Sequence, residues 1–180
     1  SRGEDSVIFR TFFFSIEDMP LLGSGVFVET GAHDGLVDST TLFFERCLGW
    51  FGVLIEPHPA VWPRLLNASR GRSIMRQAAI CAHNGTAVIE ERAWTGAFLL
   101  AEGETGLRVP CAPLSDLLGQ IHAVRRTARV DLLSLDVQGA EPIAAASLGT
   151  AISYGVVMAE VEVGPRRIDT METMLHRGFD

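Results

Sequence analysis

The chain contains no lysine; all 15 of its basic residues are arginine. That absence excludes a Walker-type phosphate loop, whose lysine reaches the β- and γ-phosphates, and a Schiff-base enzyme, which needs an amine nucleophile. The tyrosine–lysine pair of short-chain reductases is excluded for the same reason. Cysteine is scarce: Cys47, Cys81 and Cys111 stand far apart, with no CxxC and no paired histidine spacing. This pattern gives neither a zinc site nor a disulfide framework, and the three read as small buried hydrophobes in a reducing, cytoplasmic compartment. No apolar run approaches the roughly 18 residues of a spanning helix, and Arg2, Glu4, Asp5 and Arg10 interrupt the opening where a signal peptide would be apolar. A chain with no membrane segment is therefore expected. A basic excess is missing as well: the net charge is -7 with acids interspersed, which argues against nucleic acid as a partner.

What is present is enough for one substantial core. With 180 residues, 47% of them hydrophobic, the expectation is a single domain over 1–180. The chain begins without Met and stops just after a helical pattern, as a piece of a longer protein would. Nothing in the pattern sets an oligomeric state.

Strand-like runs alternate with helical patterns, the signature of a doubly wound, mostly parallel α/β sheet. "VIFRTFFF" (7–14) reads as a helix with a core-facing aromatic stripe, and "GVFVET" as a central strand apolar on both faces. Asp38 or Ser39 is expected to cap a helix through "TTLFFERCL" that Gly49 stops. "WFGVLIE" is a second strand, and "AVWPRLLNA" a helix with Val61, Leu65 and Leu66 on one face. "SIMRQAAIC" reads as a third strand, joined through Asn84-Gly85 to "TAVIEE" as a hairpin. Residues 92–107 are the least regular, either a flap over a site or a surface loop, and Trp94 there either lines a pocket or packs. "PLSDLLGQIHAV" is a helix, "VDLLSLDV" a buried strand, "AEPIAAASL" a short helix, "YGVVMAEVEV" a strand and "IDTMETMLHRG" a last helix.

Ligands of open α/β sheets bind beyond the carboxyl ends of the strands, where Glu29, Glu56 and Asp136 fall. Gly31 and Gly35 allow a tight turn and close approach of backbone to a ligand. His33 takes the place of a middle glycine and would crowd a pyrophosphate, whereas Glu56 follows Gly35 at the spacing, about 20 residues, of a ribose-binding acid. Each residue also has a plain structural reading. Glu29 could bond loop amides, Glu56 could be a surface acid, and Asp136 could hold a loop. Glu141 could serve a helix start, and Glu160 and Glu162 could sit on a rim. His33 could be a general base or a loop residue bonding backbone, and His58 a turn residue.

The run "FVETGAHDG…STTLFFERCLGWFGVLIEPHP", followed by "AAI", "VPCAPLSDLL" and "DLLSLDVQGAE", resembles the FkbM family of class I S-adenosylmethionine-dependent methyltransferases. The resemblance covers nearly the whole chain. It implies a Rossmann-like methyltransferase sheet and methyl transfer to a hydroxyl, with S-adenosyl-L-methionine as cofactor. The acceptor it implies is a small molecule or glycan, such as a sugar or secondary metabolite. Carried over, Glu29, Thr30, Gly31, Ala32, Asp34 and Gly35 would form the loop on the methionine side. Ser39 and Thr41 would touch the cofactor, Glu56 would hold the ribose, and Ala78 and Ala79 would lie near the adenine. Asp136, with His33 second, would act on the acceptor proton; no metal is expected. The chain departs from the family at Gln138, where Glu is usual, and in ending before the terminal strand pair. An NAD-dependent oxidoreductase and a non-catalytic Rossmann-like module are the competing readings.

Overall fold

The computed structural model describes residues 3–14, 23–91, 104–125, 128–160 and 165–179. A short helix α1 (Glu4–Ile8) runs into one π-helical turn, Phe9–Phe13. The chain then follows β1 (Val26–Thr30), α2 (Leu42–Leu48), β2 (Phe51–Ile55), α3 (Trp62–Leu66) and β3 (Ser73–Arg76). Next come β4 (Ala79–Ile80), β5 (Gly85–Ile89), β6 (Leu107–Ala112), α4 (Leu114–Arg125) and β7 (Arg129–Leu135). The last elements are α5 (Glu141–Ala146), β8 (Ser153–Ala159) and α6 (Pro165–His176).

Five strands form a parallel sheet in the order β3-β2-β1-β7-β8. The doubly wound reading is thus correct. Alternation of side chains in β1 and β2 sends Val26, Val28, Val53 and Ile55 to one face and Phe27 and Leu54 to the other. The first set packs on Leu114, Leu118 and Ile121 of α4 and Ala144 of α5. The second packs on Ile8, Phe44 and Leu65 of the helices on the opposite face, with Trp50 fully buried among them. Phe9, Phe13, Phe43, Phe44 and Trp50 meet edge-on or tilted, so the expected aromatic stripe is partly core, while Phe12 and Phe14 are exposed. Gly52 is required by this packing, since a Cβ there would collide with the Phe27 ring. Among the described residues no helix is long and apolar enough to cross a membrane.

Several expectations are corrected. The third strand is two: β3 completes the edge of the parallel sheet, and the chain changes sheets at Gln77-Ala78 so that β4 joins a three-stranded sheet, β4-β6-β5. Asn84-Gly85 makes no hairpin, because β6 lies between β4 and β5 and pairs with both. The sequence hides β6 behind Pro110. That proline is tolerated because β4 pairs only Cys111 and Ala112, leaving position 110 on an open edge on that side. Cys81 and Cys111, far apart in sequence, are brought together at this junction as a disulfide with Cα atoms 5.8 Å apart. Cys47 is exposed. The reading of three buried thiols is overturned, and with it the ground for expecting a reducing compartment. Gly49 does stop α2, at φ 69, but the residue before the helix is Thr41 with no side-chain cap bond, because Ser39 and Thr41 are engaged elsewhere. Leu66 is 53% exposed, unlike Val61 and Leu65, which are buried. Residues 92–103, with Trp94, and Glu162 lie outside the described residues.

Candidate active site

The strand order reverses between β1 and β7, and at that point the carboxyl ends of β1, β2, β7 and β8 open into a cavity of about 650 Å³. Of the expected site residues, Glu29, Thr30, Gly31, Ala32, His33, Ser39, Glu56 and Asp136 line it, as do Ala78 and Ala79. Asp34, Gly35 and Thr41 do not. The Asp34 carboxylate instead takes the amides of Leu36 and Val37 at 2.9 and 2.8 Å. Burial of Asp34 works against ionisation, but those two amides together with the charges of His33 and Arg64 lower the carboxyl below its ordinary range.

The loop after β1 is held from both sides. Ala32 N–H donates to Ile55 O on β2, and Thr30 Oγ1 donates to Ser134 O and accepts from Asp136 N–H on β7. Gly31 adopts φ 69, and a Cβ there would collide with the Asp136 carbonyl oxygen. The glycine is thus demanded by the neighbouring strand end, a reason the sequence reading had assigned to a ligand. Gly35, at φ 72, lies against Leu65 in the core.

Glu29 is 5% exposed and accepts from Ser39 Oγ, Thr40 N and Thr41 Oγ1 at 2.8, 2.8 and 2.6 Å. Beneath it lies Arg70, which the sequence reading missed. Its guanidinium is 2.6 Å from Glu45 and 3.9 Å from Glu29, and it donates to Gly35 O, Ser39 Oγ and Thr41 Oγ1. Glu45 in turn accepts from Arg72 N and Ser73 Oγ. Only the burial of an arginine signals this network, and burial is invisible until α2, α3 and β1 are packed.

Glu56, at the end of β2, accepts one amide on each oxygen: His33 N–H at 2.9 Å and His58 N–H at 2.8 Å. Burial raises its carboxyl above the ordinary range, and those amides offset part of the rise. His58 is a buried turn residue, as expected. Its Nδ1 accepts from Ala60 N–H at 3.2 Å, which assigns the ring proton to Nε2, facing Glu91 O at 3.3 Å. His33 adopts φ 47 and presents a buried Nε2 that has no hydrogen-bond partner among the described residues.

Asp136 stands just past β7, with Gln138 Nε2 donating to its Oδ1 at 2.7 Å. Burial first, and then the neighbouring carboxyl of Glu160, push its pKa up to about 7. Glu141 is spent on the amides of Val137 and Gly139 at 3.1 and 2.8 Å, and so holds the turn before α5. Because folded Asp136 keeps its proton over a range where the unfolded chain has lost it, stability falls as pH rises from about 4 to about 7. The displacement corresponds to at most about 4 kcal/mol, and partial solvent access discounts it to about 2. Asp136→Asn is therefore expected to gain nothing below pH 4 and about 2 kcal/mol above pH 7, read from urea unfolding at both ends. An equal effect at both ends would contradict the assignment.

The model of the methyltransferase FkbM domain matches residues 29–144, a stretch that opens on Glu29 and includes Glu56 and Asp136. The crystal structure of methyltransferase FkbM from Methylobacillus flagellatus KT is similar at 14% identity and a TM-score of 0.46. That similarity covers 76% of this chain and 32% of the other, so the chain spans about a third of that protein's length. No curated protein matches. The family model covers well over half of the chain, and its matched stretch carries the loop together with Glu29, Glu56 and Asp136: the chain belongs to the FkbM methyltransferase family.

Proposed function

We propose that the chain is an S-adenosylmethionine-dependent methyltransferase that methylates a hydroxyl of a sugar or secondary metabolite. The observation that carries the cofactor reading is Glu56. Each of its oxygens accepts a single amide, which leaves lone pairs directed at the cavity for the two hydroxyl donors of a ribose. The cavity suits the rest of such a molecule in size, and Ala78, Ala79, Ile80 and Ile89 give it an apolar wall against which an adenine face would pack. The His33 Nε2, unpaired among the described residues, offers a further polar contact. When bound, S-adenosylmethionine supplies a methyl group on a sulfonium sulfur, open to in-line attack by an acceptor oxygen.

The chain's own part is alignment, exclusion of water and removal of one proton. Glu56 and the loop from Gly31 to His33 fix the donor side. Glu29 acts indirectly, by holding Ser39 and Thr40 in the wall. Asp136, at the β7 end of the same cavity, is placed to take the proton from the acceptor hydroxyl as its oxygen becomes an ether oxygen. Its carboxyl, raised to about 7, is poised for that exchange near neutral pH. Calorimetric titration separates this from the oxidoreductase reading. Binding of S-adenosylhomocysteine at micromolar concentration with no heat from NAD is expected; NAD binding in its place would overturn the proposal.

A further inference from the structure

Glu160 was read in the sequence as a rim residue. It directly follows β8, where its N–H donates to Leu135 O at 2.8 Å and continues the ladder one rung past the pair Leu135–Ala159. Asp136, just past β7, is therefore its in-register neighbour. Side chains at such positions project to the same face, and both residues line the cavity. Glu160 is exposed at the rim, and its carboxyl lies near enough to that of Asp136 to disfavour ionisation there.

Among the described residues, the other groups facing Asp136 do not neutralise this pair. From the following turn comes the neutral Gln138 amide, from α5 the acid Glu141, and from β1 the hydroxyl of Thr30 on the Asp136 backbone. His33, on the loop after β1, borders the same cavity. No arginine of the described residues lines it. Two carboxyls at neighbouring strand ends, with no arginine of the described residues beside them, disfavour joint ionisation, and the effect falls on the more buried Asp136.

We propose that Glu160 is a positioning residue for methyl transfer, whose charge beside the Asp136 carboxyl at the mouth of the cavity sets when Asp136 can accept the hydroxyl proton. The assignment rests on the methyltransferase reading of the cavity. Asp136 in its ionised form takes up the hydroxyl proton while the oxygen–methyl bond forms and the sulfur–methyl bond breaks, with the electron pair of the broken bond left on sulfur. Glu160 sets the protonation of Asp136 and does not itself touch the acceptor.

The test follows carboxyl carbons by NMR titration in the wild-type chain, Glu160→Gln and Glu160→Asp, with S-adenosylhomocysteine binding measured in each by calorimetry. Asp136 is expected to titrate near 7 in the wild type. In Glu160→Gln it is expected to titrate about one pH unit or more lower, and in Glu160→Asp to stay raised. Affinity for S-adenosylhomocysteine should change less than about threefold, since removing one charge near the acceptor end leaves the Glu56 contacts intact. An Asp136 titration that does not move in Glu160→Gln, while S-adenosylhomocysteine still binds, overturns the role of Glu160 alone. Wild-type chain that does not bind S-adenosylhomocysteine overturns the reading beneath it.

Discussion

Arg70→Met is expected to lower unfolding stability by about 4 kcal/mol, since removing one partner of a buried ion pair typically costs about 3–5. The guanidinium is 2% exposed and makes four hydrogen bonds, to Glu45, Gly35, Ser39 and Thr41. Methionine would fill the space against the Phe27 ring, over which the guanidinium carbon sits at 5.6 Å. The loss is therefore electrostatic and not a cavity. It leaves the carboxylates of Glu29 and Glu45 in the interior with hydroxyl and amide donors but no counter-charge. Arg70→Lys should recover less than half, because an ammonium lacks the fork that reaches Glu45 and the loop oxygens together. Salt should not restore stability, as the pair is shielded from the screening atmosphere. Urea unfolding measures all three, and a loss below about 1 kcal/mol for Arg70→Met would show that the network is not needed to hold the loop. A domain of this size has about 5–15 kcal/mol in total, so the expected loss removes a large share.

The sequence reveals the parts of the molecule governed by local pattern. Apolar runs with an acid at or near the end mark β1, β2 and β7, because a strand flanked on both sides and covered on both faces is mostly apolar along its length. The two glycines of the loop are equally visible, although Gly31 is needed for the Asp136 carbonyl and Gly35 for Leu65. What escapes notice depends on contacts between distant segments. β6 contains a proline that argues against a strand until the shortness of β4 is known. The Cys81–Cys111 bond follows from the parallel pairing of Ala79 with Cys111, which no spacing rule encodes.

The candidate site divides the same way. Glu29, Glu56 and Asp136 are found by position, yet their environments differ. Glu29 is saturated by Ser39, Thr40 and Thr41, Glu56 keeps acceptor capacity toward the cavity, and Asp136 faces a second acid. Arg70 and Glu45 could not be distinguished from surface charges, since they lie on short helical and turn segments whose inward faces are set only by packing.

Glu56 carries the second large expectation. Two hydroxyl donors meeting one buried carboxylate are charge-assisted bonds of about 1.5–3 kcal/mol each, part of which the hydroxyls would recover from water. Glu56→Ala is therefore expected to weaken binding of S-adenosylhomocysteine about 100-fold, about 3 kcal/mol. The same change frees the amides of His33 and His58, so some of the loss comes through the loop; Glu56→Gln separates the two contributions, because its carbonyl oxygen keeps one acceptor. The most direct measurement is calorimetric titration of S-adenosylhomocysteine into the wild-type chain, Glu56→Gln and Glu56→Ala under identical conditions. Micromolar binding that falls in that order, by about 100-fold at the end of the series, is the predicted result. Wild-type binding that both variants retain would contradict a nucleoside held at the end of β2.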